Sequence, residues 1–229
     1  LFRRSVLALS RYLSRSRGLH ASPEQIILGA GAEYLYGQIV ELLGPDRSWA
    51  IESPSYEKIE QVYRSRGVPL QSLPLDQNGI SPAALADCHA TVLHVSPYRS
   101  YPSDVTASPA RRMEYLRWAS QEDRMIVEDD YESEFHVQRK PMETLFSRST
   151  DGNVLYLNTF SRTISSALRI GYLVLPEKWV PIFHTRLGFY SCTVPAFEQY
   201  VLAALLDSGD FERHIHRVRR RLRAQLELG

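Results

Sequence analysis

A run of acidic residues follows a short apolar segment near the middle of the chain. The run is Glu128-Asp129-Asp130-Tyr131, and the segment Met125-Ile126-Val127 before it has the character of a buried strand. Ligands of open α/β sheets bind at the carboxyl ends of strands, so these side chains are placed to meet one. A carboxylate there can keep a heterocyclic nitrogen protonated, and a phenol two residues on can donate to a ring hydroxyl. The competing interpretation is an acidic loop that caps a helix or binds nothing.

A glycine-rich turn joins a predicted strand to a predicted helix nearer the N-terminus. Gly29-Ala30-Gly31-Ala32 ends the apolar run 25–28 and opens a helical pattern. Backbone N–H groups at such a helix N-terminus would suit a dianion. Any tight strand-to-helix turn also favours glycine, so the turn alone is a weak signal for phosphate binding.

Short apolar strands alternate with amphipathic helices along the chain. Repeated βα units predict an α/β fold of three layers, αβα, in which helices cover both faces of a mostly parallel sheet. The predicted strands are 25–28, 49–51, 70–73, 91–95, 125–127, 154–157 and 170–175. The predicted helices are 2–16, 32–43, 56–66, 82–86 and 109–119, and the part after residue 175 also has a helical pattern.

Composition limits the class of protein. The 229 residues are 44% hydrophobic and 23% charged, and the net charge of +1 gives no bulk electrostatic reason to expect nucleic-acid or membrane binding. The arginines at 217, 219, 220, 221 and 223 are interpreted as one face of a solvated helix, with a nucleic-acid patch as the alternative. Cys88 and Cys192 lack metal-like spacing, so no metal site is predicted. With no membrane span and no signal peptide predicted, we expect a cytoplasmic protein.

Three longer motifs are more specific. They are E-D-D-Y-E-S-E-F at 128–135, T-F-S-R-T at 159–163 with L-R-I-G-Y-L-V-L-P at 168–176, and R-G-x-x-x-x-P-x-Q-I-I at 17–27. Together they resemble fold-type-I pyridoxal-phosphate (PLP) enzymes, and in particular the aminotransferase-like domain of MocR/GabR-type regulators, in which a GntR-class winged helix-turn-helix precedes that domain. The resemblance implies a PLP-dependent transferase large domain, a homodimer with the cofactor site at its interface, and DNA binding only through a separate domain.

The resemblance also assigns the ring end of a PLP site. Asp129 matches the carboxylate that pairs with the ring nitrogen, and Tyr131 matches the tyrosine at the ring hydroxyl O3′. Tyr56, in E-S-P-S-Y, matches the tyrosine that stacks on the pyridine, with a packing role as the alternative. The loop 96–104 keeps the family's proline frame but differs from it at Tyr98, Arg99, Ser100 and Asp104.

The family's phosphate-binding segments map onto six residues. Hydroxyls can donate to a phosphate, and an arginine can grip one through two N–H groups. Glu33 departs from the family's glutamine, and a carboxylate there would repel a phosphate. Arg169 has the alternative of a salt-bridge residue at a strand edge. The six implied phosphate residues are Gly31, Ala32, Glu33, Thr159, Ser161 and Arg169.

The Schiff-base lysine of the family is missing. Arg162 stands at its position, and a guanidinium cannot condense with an aldehyde as an amine does. We expect none of the three lysines to substitute for it. Lys140 lies in a polar loop and Lys178 at the start of a surface helix, while the helical step from Tyr56 should point Lys58 away from the cofactor.

These observations predict an effector-binding and dimerisation domain of a bacterial transcriptional regulator. It would bind a small-molecule amine or amino acid, hold PLP noncovalently or not at all, and carry out no transamination. An active PLP-dependent aminotransferase acting on an amino acid is the alternative, and a scaffold used only for association is the third possibility.

Domain boundaries follow from the same resemblance. Residues 1–205 are expected to form the large domain, truncated at its N-terminus. Residues 206–229 are expected to form the helix that leads to a small domain absent from the chain. Without that domain, apolar surface along 183–206 should be exposed and promote self-association.

Overall fold

One eight-stranded sheet runs through the described part of the chain. The computed structural model describes residues 2–121, 123–131, 133–135, 143–165 and 168–228. The strands are β1 (Ile26–Gly29), β2 (Trp49–Ser53), β3 (Leu70–Asp76), β4 (Gly79–Ile80), β5 (Val92–Val95), β6 (Met125–Asp129), β7 (Val154–Thr159) and β8 (Gly171–Val174). The helices are α1 (Phe2–Arg17), α2 (Ala32–Leu43), α3 (Glu57–Ser65), α4 (Pro82–Ala86), α5 (Pro109–Ala119), α6 (Leu145–Arg148), α7 (Val180–Leu187), α8 (Ala196–Asp207) and α9 (Asp210–Leu228). Among these described helices, none is long and apolar enough to cross a bilayer.

The strand order is β1-β8-β7-β6-β5-β2-β3-β4. The four central pairings, from β7 through β6, β5 and β2 to β3, are parallel. Strand β8 runs antiparallel to both of its neighbours, and β4 runs antiparallel to β3. The predicted mostly parallel sheet is confirmed. Because β2, β5, β6 and β7 run in one direction, the residues at their carboxyl ends meet at one edge of the sheet.

Helices cover both faces of this sheet, which confirms the three-layer prediction. Alternate residues of β7 point to opposite faces, as strand geometry requires. Leu155 and Leu157 pack in a core with α2, α3 and α7. Tyr156, between them, packs in a second core with α1, α8 and α9. A third core on this same face joins Ile126 and Val154 to α4, α5 and α6.

Strands β2 and β6 are longer than their sequence patterns suggested. Pairing of Val95 with Glu128 and of Asp129 with Leu157 carries β6 two residues past the predicted strand 125–127. The first two acidic side chains of the run 128–131 therefore belong to the strand itself. The short elements β4 and α6 were not predicted, because so few residues show no clear periodicity.

A buried ion pair joins α1 to the end of β6. Arg17 Nη2 lies 2.5 Å from Asp130 Oδ2, and the side chains are 4% and 0% exposed. Asp130 also accepts a hydrogen bond from Tyr156 Oη at 2.7 Å. The buried Glu134 carboxylate accepts from Asn158 Nδ2 at 2.9 Å. Arg17 is therefore the described cation that balances Asp130 in a region without access to water.

Three buried glutamates surround the carboxyl edge of the sheet. Burial raises the pKa of Glu52, Glu128 and Glu134 to about 7 in each case, and the charge of Asp130 adds to the effect at Glu128 and Glu134. Glu52 is held by Ser100 Oγ, which donates at 2.6 Å, and by the backbone N–H of Ser96 at 3.1 Å. Ionisation of these three acids above pH 7 therefore lowers the free energy of unfolding.

Arg17→Met should destabilise the fold by about 3–5 kcal/mol, because it leaves the Asp130 carboxylate buried without its cation. Urea unfolding measures the difference. The control Arg15→Met, on the same helix, removes an arginine that is 52% exposed and pairs with Glu212 at 2.8 Å. It should cost at most about 1 kcal/mol. Equal losses in the two variants would contradict the role of the buried pair.

Glu52→Gln should stabilise the protein at pH 8 relative to wild type but not at pH 4. The folded-state pKa of about 7 lies above the ordinary value near 4.5, so the wild-type contribution is full below the ordinary pKa and is lost as the pH rises through 7. The difference should reach the order of 3 kcal/mol, at about 1.4 kcal/mol per pKa unit. Urea unfolding of both proteins from pH 4 to pH 8 measures it. A constant difference across this range would refute the assignment.

Candidate ligand-binding site

A pocket of about 500 Å³ opens at the carboxyl edge of the parallel strands. Segments that are far apart in sequence meet there, and Gly31 lies against Arg169 at its side. The predicted site residues that line the pocket are Ala32, Glu33, Tyr56, Asp129, Tyr131, Thr159, Ser161, Arg162 and Arg169. The structure thus brings the predicted set together.

Asp129 provides a buried carboxylate in this pocket. The residue is 2% exposed, and its Oδ2 accepts a hydrogen bond from Tyr36 Oη at 2.5 Å. His94 Nε2 lies 3.4 Å from the same oxygen. The other oxygen, Oδ1, is buried and has no hydrogen-bond partner among the described residues. A buried acceptor without a donor is costly, so a ligand with a protonated nitrogen would satisfy it.

Sequence reasoning missed the residues behind this carboxylate. Tyr63 Oη lies 2.6 Å from His94 Nδ1, so Tyr63, His94, Asp129 and Tyr36 form one buried polar chain. Burial, then the charge of Asp129, raises the pKa of Tyr36, which keeps its hydroxyl protonated as a donor. The available signal was His94 itself, a polar residue inside the apolar strand segment Val92–Val95.

Two aromatic side chains flank the pocket in the predicted way. Tyr56 caps the start of α3, is 37% exposed, and meets Tyr101 edge-on at 5.9 Å between ring centroids. An exposed ring at the pocket wall is available for stacking on a flat ligand. Tyr131 lines the same pocket two residues after Asp129.

The anion-binding end is built around the start of α2. Gly31 is the N-cap of that helix with φ +94°, a conformation that favours glycine. A Cβ at this residue would lie 2.7 Å from Arg169 Nη2, so the close approach of the arginine also requires glycine. Thr159 is buried at the end of β7, and Ser161 Oγ donates to the carbonyl of Leu168 at 3.2 Å.

Glu33 occupies this end with its own carboxylate. Its Oε2 lies 2.7 Å from Arg169 Nη2, and its Oε1 lies 3.1 Å from Lys58 Nζ. Burial alone would raise the pKa of Glu33, but hydrogen bonds from its own backbone N–H, Lys58 and Arg169 hold it below its ordinary value. The carboxylate is therefore ionised at neutral pH and shared by two cations.

Arg162, which the resemblance assigns to the lysine position, lines the pocket. The expectation that Lys58 points elsewhere is wrong. Helix α3 begins only at Glu57, so Lys58 lies in its first turn at the pocket wall, and its long side chain reaches Glu33. Lys178 is bound to Asp151 and Asn153 outside the pocket lining, and Lys140 falls outside the described residues.

The loop 96–104, which departs from the family pattern, makes contacts within the chain. Ser100 holds Glu52, and Arg99 Nε donates to Asp104 Oδ1 at 2.8 Å. Tyr98 turns away from the pocket and bonds the buried Glu128. The residues that differ from the family pattern thus hold the loop 96–104 in place beside the pocket.

The pocket fits one half of PLP and not the other. Its ring end offers the unpartnered Asp129 Oδ1, with Tyr131 and an exposed Tyr56 nearby. Its phosphate end already holds the Glu33 carboxylate, and the position that would carry the covalent link is an arginine. Among the described residues, no cluster of His, Cys, Asp and Glu could hold a metal ion.

Comparison with known proteins identifies relatives of this chain. No protein-family model matches it. It is 29% identical to the uncharacterised HTH-type transcriptional regulator YdeL of Bacillus subtilis, over 93% of the chain and 46% of the relative. It is 31% identical to the HTH-type pyridoxine biosynthesis regulator PdxR of Corynebacterium glutamicum, over 93% and 47%. Identity to the probable rhizopine catabolism regulatory protein MocR of Rhizobium meliloti is 28%, over 93% and 43%. The chain therefore spans about half the length of these relatives.

Several solved structures similar to the chain are aminotransferases. An archaeal alanine:glyoxylate aminotransferase superposes with a TM-score of 0.83 at 22% identity, over 93% of this chain and 55% of that one. The Pyrococcus horikoshii kynurenine aminotransferase gives a TM-score of 0.84 at 25% identity, over 95% and 56%. The chain has the fold of the fold-type-I PLP-dependent aminotransferases, and its homologues are HTH-type transcriptional regulators of the MocR/GntR type together with aminotransferases.

Proposed function

We propose that the chain is the effector-binding and dimerisation domain of a bacterial transcriptional regulator and carries out no transamination. The observation that carries the proposal is that Arg162, the residue that the resemblance assigns to the lysine position, lines the pocket. The relatives named as regulators support the same assignment. A guanidinium stays protonated and cannot act as the amine nucleophile or proton carrier that turnover needs.

The chain's own residues suit binding and orientation. Asp129 Oδ1 would accept the N–H of a protonated ring nitrogen, and Tyr36 and His94 hold that carboxylate in place. Tyr56 would cover one face of the ring. PLP, when bound, supplies an electrophilic aldehyde for reaction with amines. In this pocket PLP would be held noncovalently or not at all, and a small amine or amino acid that serves as effector would be bound and not consumed.

An active aminotransferase remains the second candidate because Lys58 lines the same pocket. Two features weigh against it. The Lys58 ammonium is paired with Glu33, and the hydrogen bond and charge of that carboxylate raise the pKa of Lys58. An amine with a raised pKa is less available as a nucleophile at neutral pH.

The organisation of the whole protein is also a proposal. Residues 1–205 would form the large domain and residues 206–229 the helix toward a small domain, although α8 continues to Asp207 before α9 begins. DNA binding would belong to a separate helix-turn-helix domain, and the protein would act in the bacterial cytoplasm.

A dimer interface is supported by exposed aromatic rings. Phe189 and Phe197 are 76% and 77% exposed, and Tyr190 and Tyr200 are about half exposed. The expected exposure along 183–206 is thus limited to these rings. Leu187 of α7 and Leu202 and Leu206 of α8 are buried in the cores.

Borohydride reduction should not fix PLP to residue 162 of the wild-type chain, whereas Arg162→Lys should allow it at millimolar PLP. The substitution supplies an amine at the pocket wall without altering Asp129 or Tyr131. Peptide mass spectrometry after reduction locates the modification, and a coupled assay measures transamination. The wild type should show no transamination above background.

The lysines provide the controls for this test. Lys58→Arg removes the second amine of the pocket, and Lys178→Arg removes one outside it. Neither should change the result for the wild type. Site-selective fixation of PLP on Lys58 with measurable turnover would instead establish the aminotransferase.

Phe189→Ser/Phe197→Ser should shift the protein from dimer to monomer, because both rings are exposed apolar surface that association would bury. Sedimentation equilibrium of the full chain measures the dissociation constant, which we expect to rise at least about tenfold, the change that a loss of 1.4 kcal/mol produces. Met113→Ser, which removes a 38% exposed apolar side chain on α5, is the control. An unchanged constant would exclude this surface as the interface.

A further inference from the structure

Three of the cations that line the pocket pair with carboxylates of the same chain. Arg169 and Lys58 both pair with Glu33, and Arg99 pairs with Asp104. Glu33 is the second residue of α2, in the first turn, where backbone N–H groups and the helix dipole favour a negative charge. Its carboxylate thus lies where an incoming anion would find a helix N-terminus and an arginine.

A second anion cannot enter this end without a rearrangement. A phosphate dianion at Arg169 would face the ionised Glu33, or Glu33 would have to leave both of its cations. The negative charges of the phosphate and of Glu33 would repel each other. Because the site is partly buried, water screens this repulsion less than it would at the open surface. Phosphate binding is therefore weakened by the chain's own carboxylate.

The opposite end of the pocket, at Asp129, offers an acceptor for a ligand N–H group. Asp129 is 2% exposed, and its Oδ1 has no described partner although it is buried at the pocket. This acceptor is independent of Glu33. A ligand that satisfies Asp129 needs a protonated ring nitrogen, and nothing at that end requires a phosphate.

We infer that Glu33 is a specificity-determining residue, an internal anion that closes the phosphate end, so that the pocket takes a protonated nitrogen heterocycle without a phosphate group. This inference rests on the proposed effector-binding function and names the class of ligand. Glu33→Gln would remove the anion, free Arg169 and Lys58, and open the site to phosphate esters.

Pyridoxine and pyridoxine 5′-phosphate are suitable probes, because they differ only in the phosphate and lack an aldehyde that could react with surface lysines. Titration calorimetry of the full chain gives both dissociation constants. We expect wild type to bind pyridoxine at least as tightly as its phosphate ester. In Glu33→Gln the affinity ratio should move toward the ester by at least tenfold.

The control Glu41→Gln makes the same charge change on the same helix. Glu41 pairs with Arg66, outside the pocket lining, and its side chain is 28% exposed, as is that of Glu33. It should leave the ratio unchanged. The inference is overturned if the wild type prefers the ester, as would happen if Arg162 bound the phosphate. It is also overturned if the affinity ratio is unchanged in Glu33→Gln, or if the wild type binds neither probe.

Asp129→Asn separates this inference from the function on which it rests. It should weaken both probes by the same factor, because both present the same ring nitrogen. If it does so while Glu33→Gln leaves the ratio unchanged, the ring site stands and only the role of Glu33 fails. Covalent fixation of PLP with turnover in the wild type would instead remove the proposed function.

Discussion

Parallel pairing of β6 with β5 and β7 forces three successive carboxylates into the protein interior. The side chains of Glu128, Asp129 and Asp130 alternate in direction at the end of that strand. Burying a carboxylate is costly, and a different set of partners stabilises each of the three. Glu128 accepts hydrogen bonds from Tyr98 and from the backbone of Leu145 at 2.7 Å. Asp130 pairs with Arg17. Asp129, between them, has one oxygen satisfied and one unsatisfied. Glu128 thus holds Tyr98 and the start of α6, Asp130 holds the end of α1, and Asp129 lines the pocket.

Much of the fold was readable from the sequence, because apolar periodicity reports burial and burial decides which residues form the sheet. Helix α2 has the predicted bounds, and strand β7 begins at the predicted residue but continues two residues further, to Thr159. The predicted residues converge because parallel strands end at one edge. Missed features depend on partners that are distant in sequence. Nothing local in the segment 32–43 marks Tyr36 as the donor to Asp129, and the contact of Lys58 with Glu33 depends on how α2 and α3 pack.

The two ends of the pocket differ in what their residues can still do. At the ring end, Tyr36 donates a hydrogen bond to Asp129, and His94, which contacts Tyr63, lies beside the same carboxylate; these contacts hold the acceptor in position. At the other end, Arg162 lines the pocket, and Arg169 and Lys58 share the carboxylate of Glu33. A pocket that retains recognition but lacks a free amine favours occupancy over turnover, which suits a sensor better than a catalyst.

Ligand binding at Asp129 would act on the fold itself. Asp129 Oδ1 is buried without a hydrogen-bond partner among the described residues, so a ligand that donates to it would bind the folded state and not the unfolded chain. Such binding raises stability in proportion to occupancy. The residue next in sequence, Asp130, holds Arg17 at the end of α1. A shift of the carboxyl end of β6 would therefore move both the acceptor for the ligand, Asp129, and the partner of Arg17, Asp130. The pocket and the N-terminal helix are thus connected to the same strand end through two adjacent aspartates.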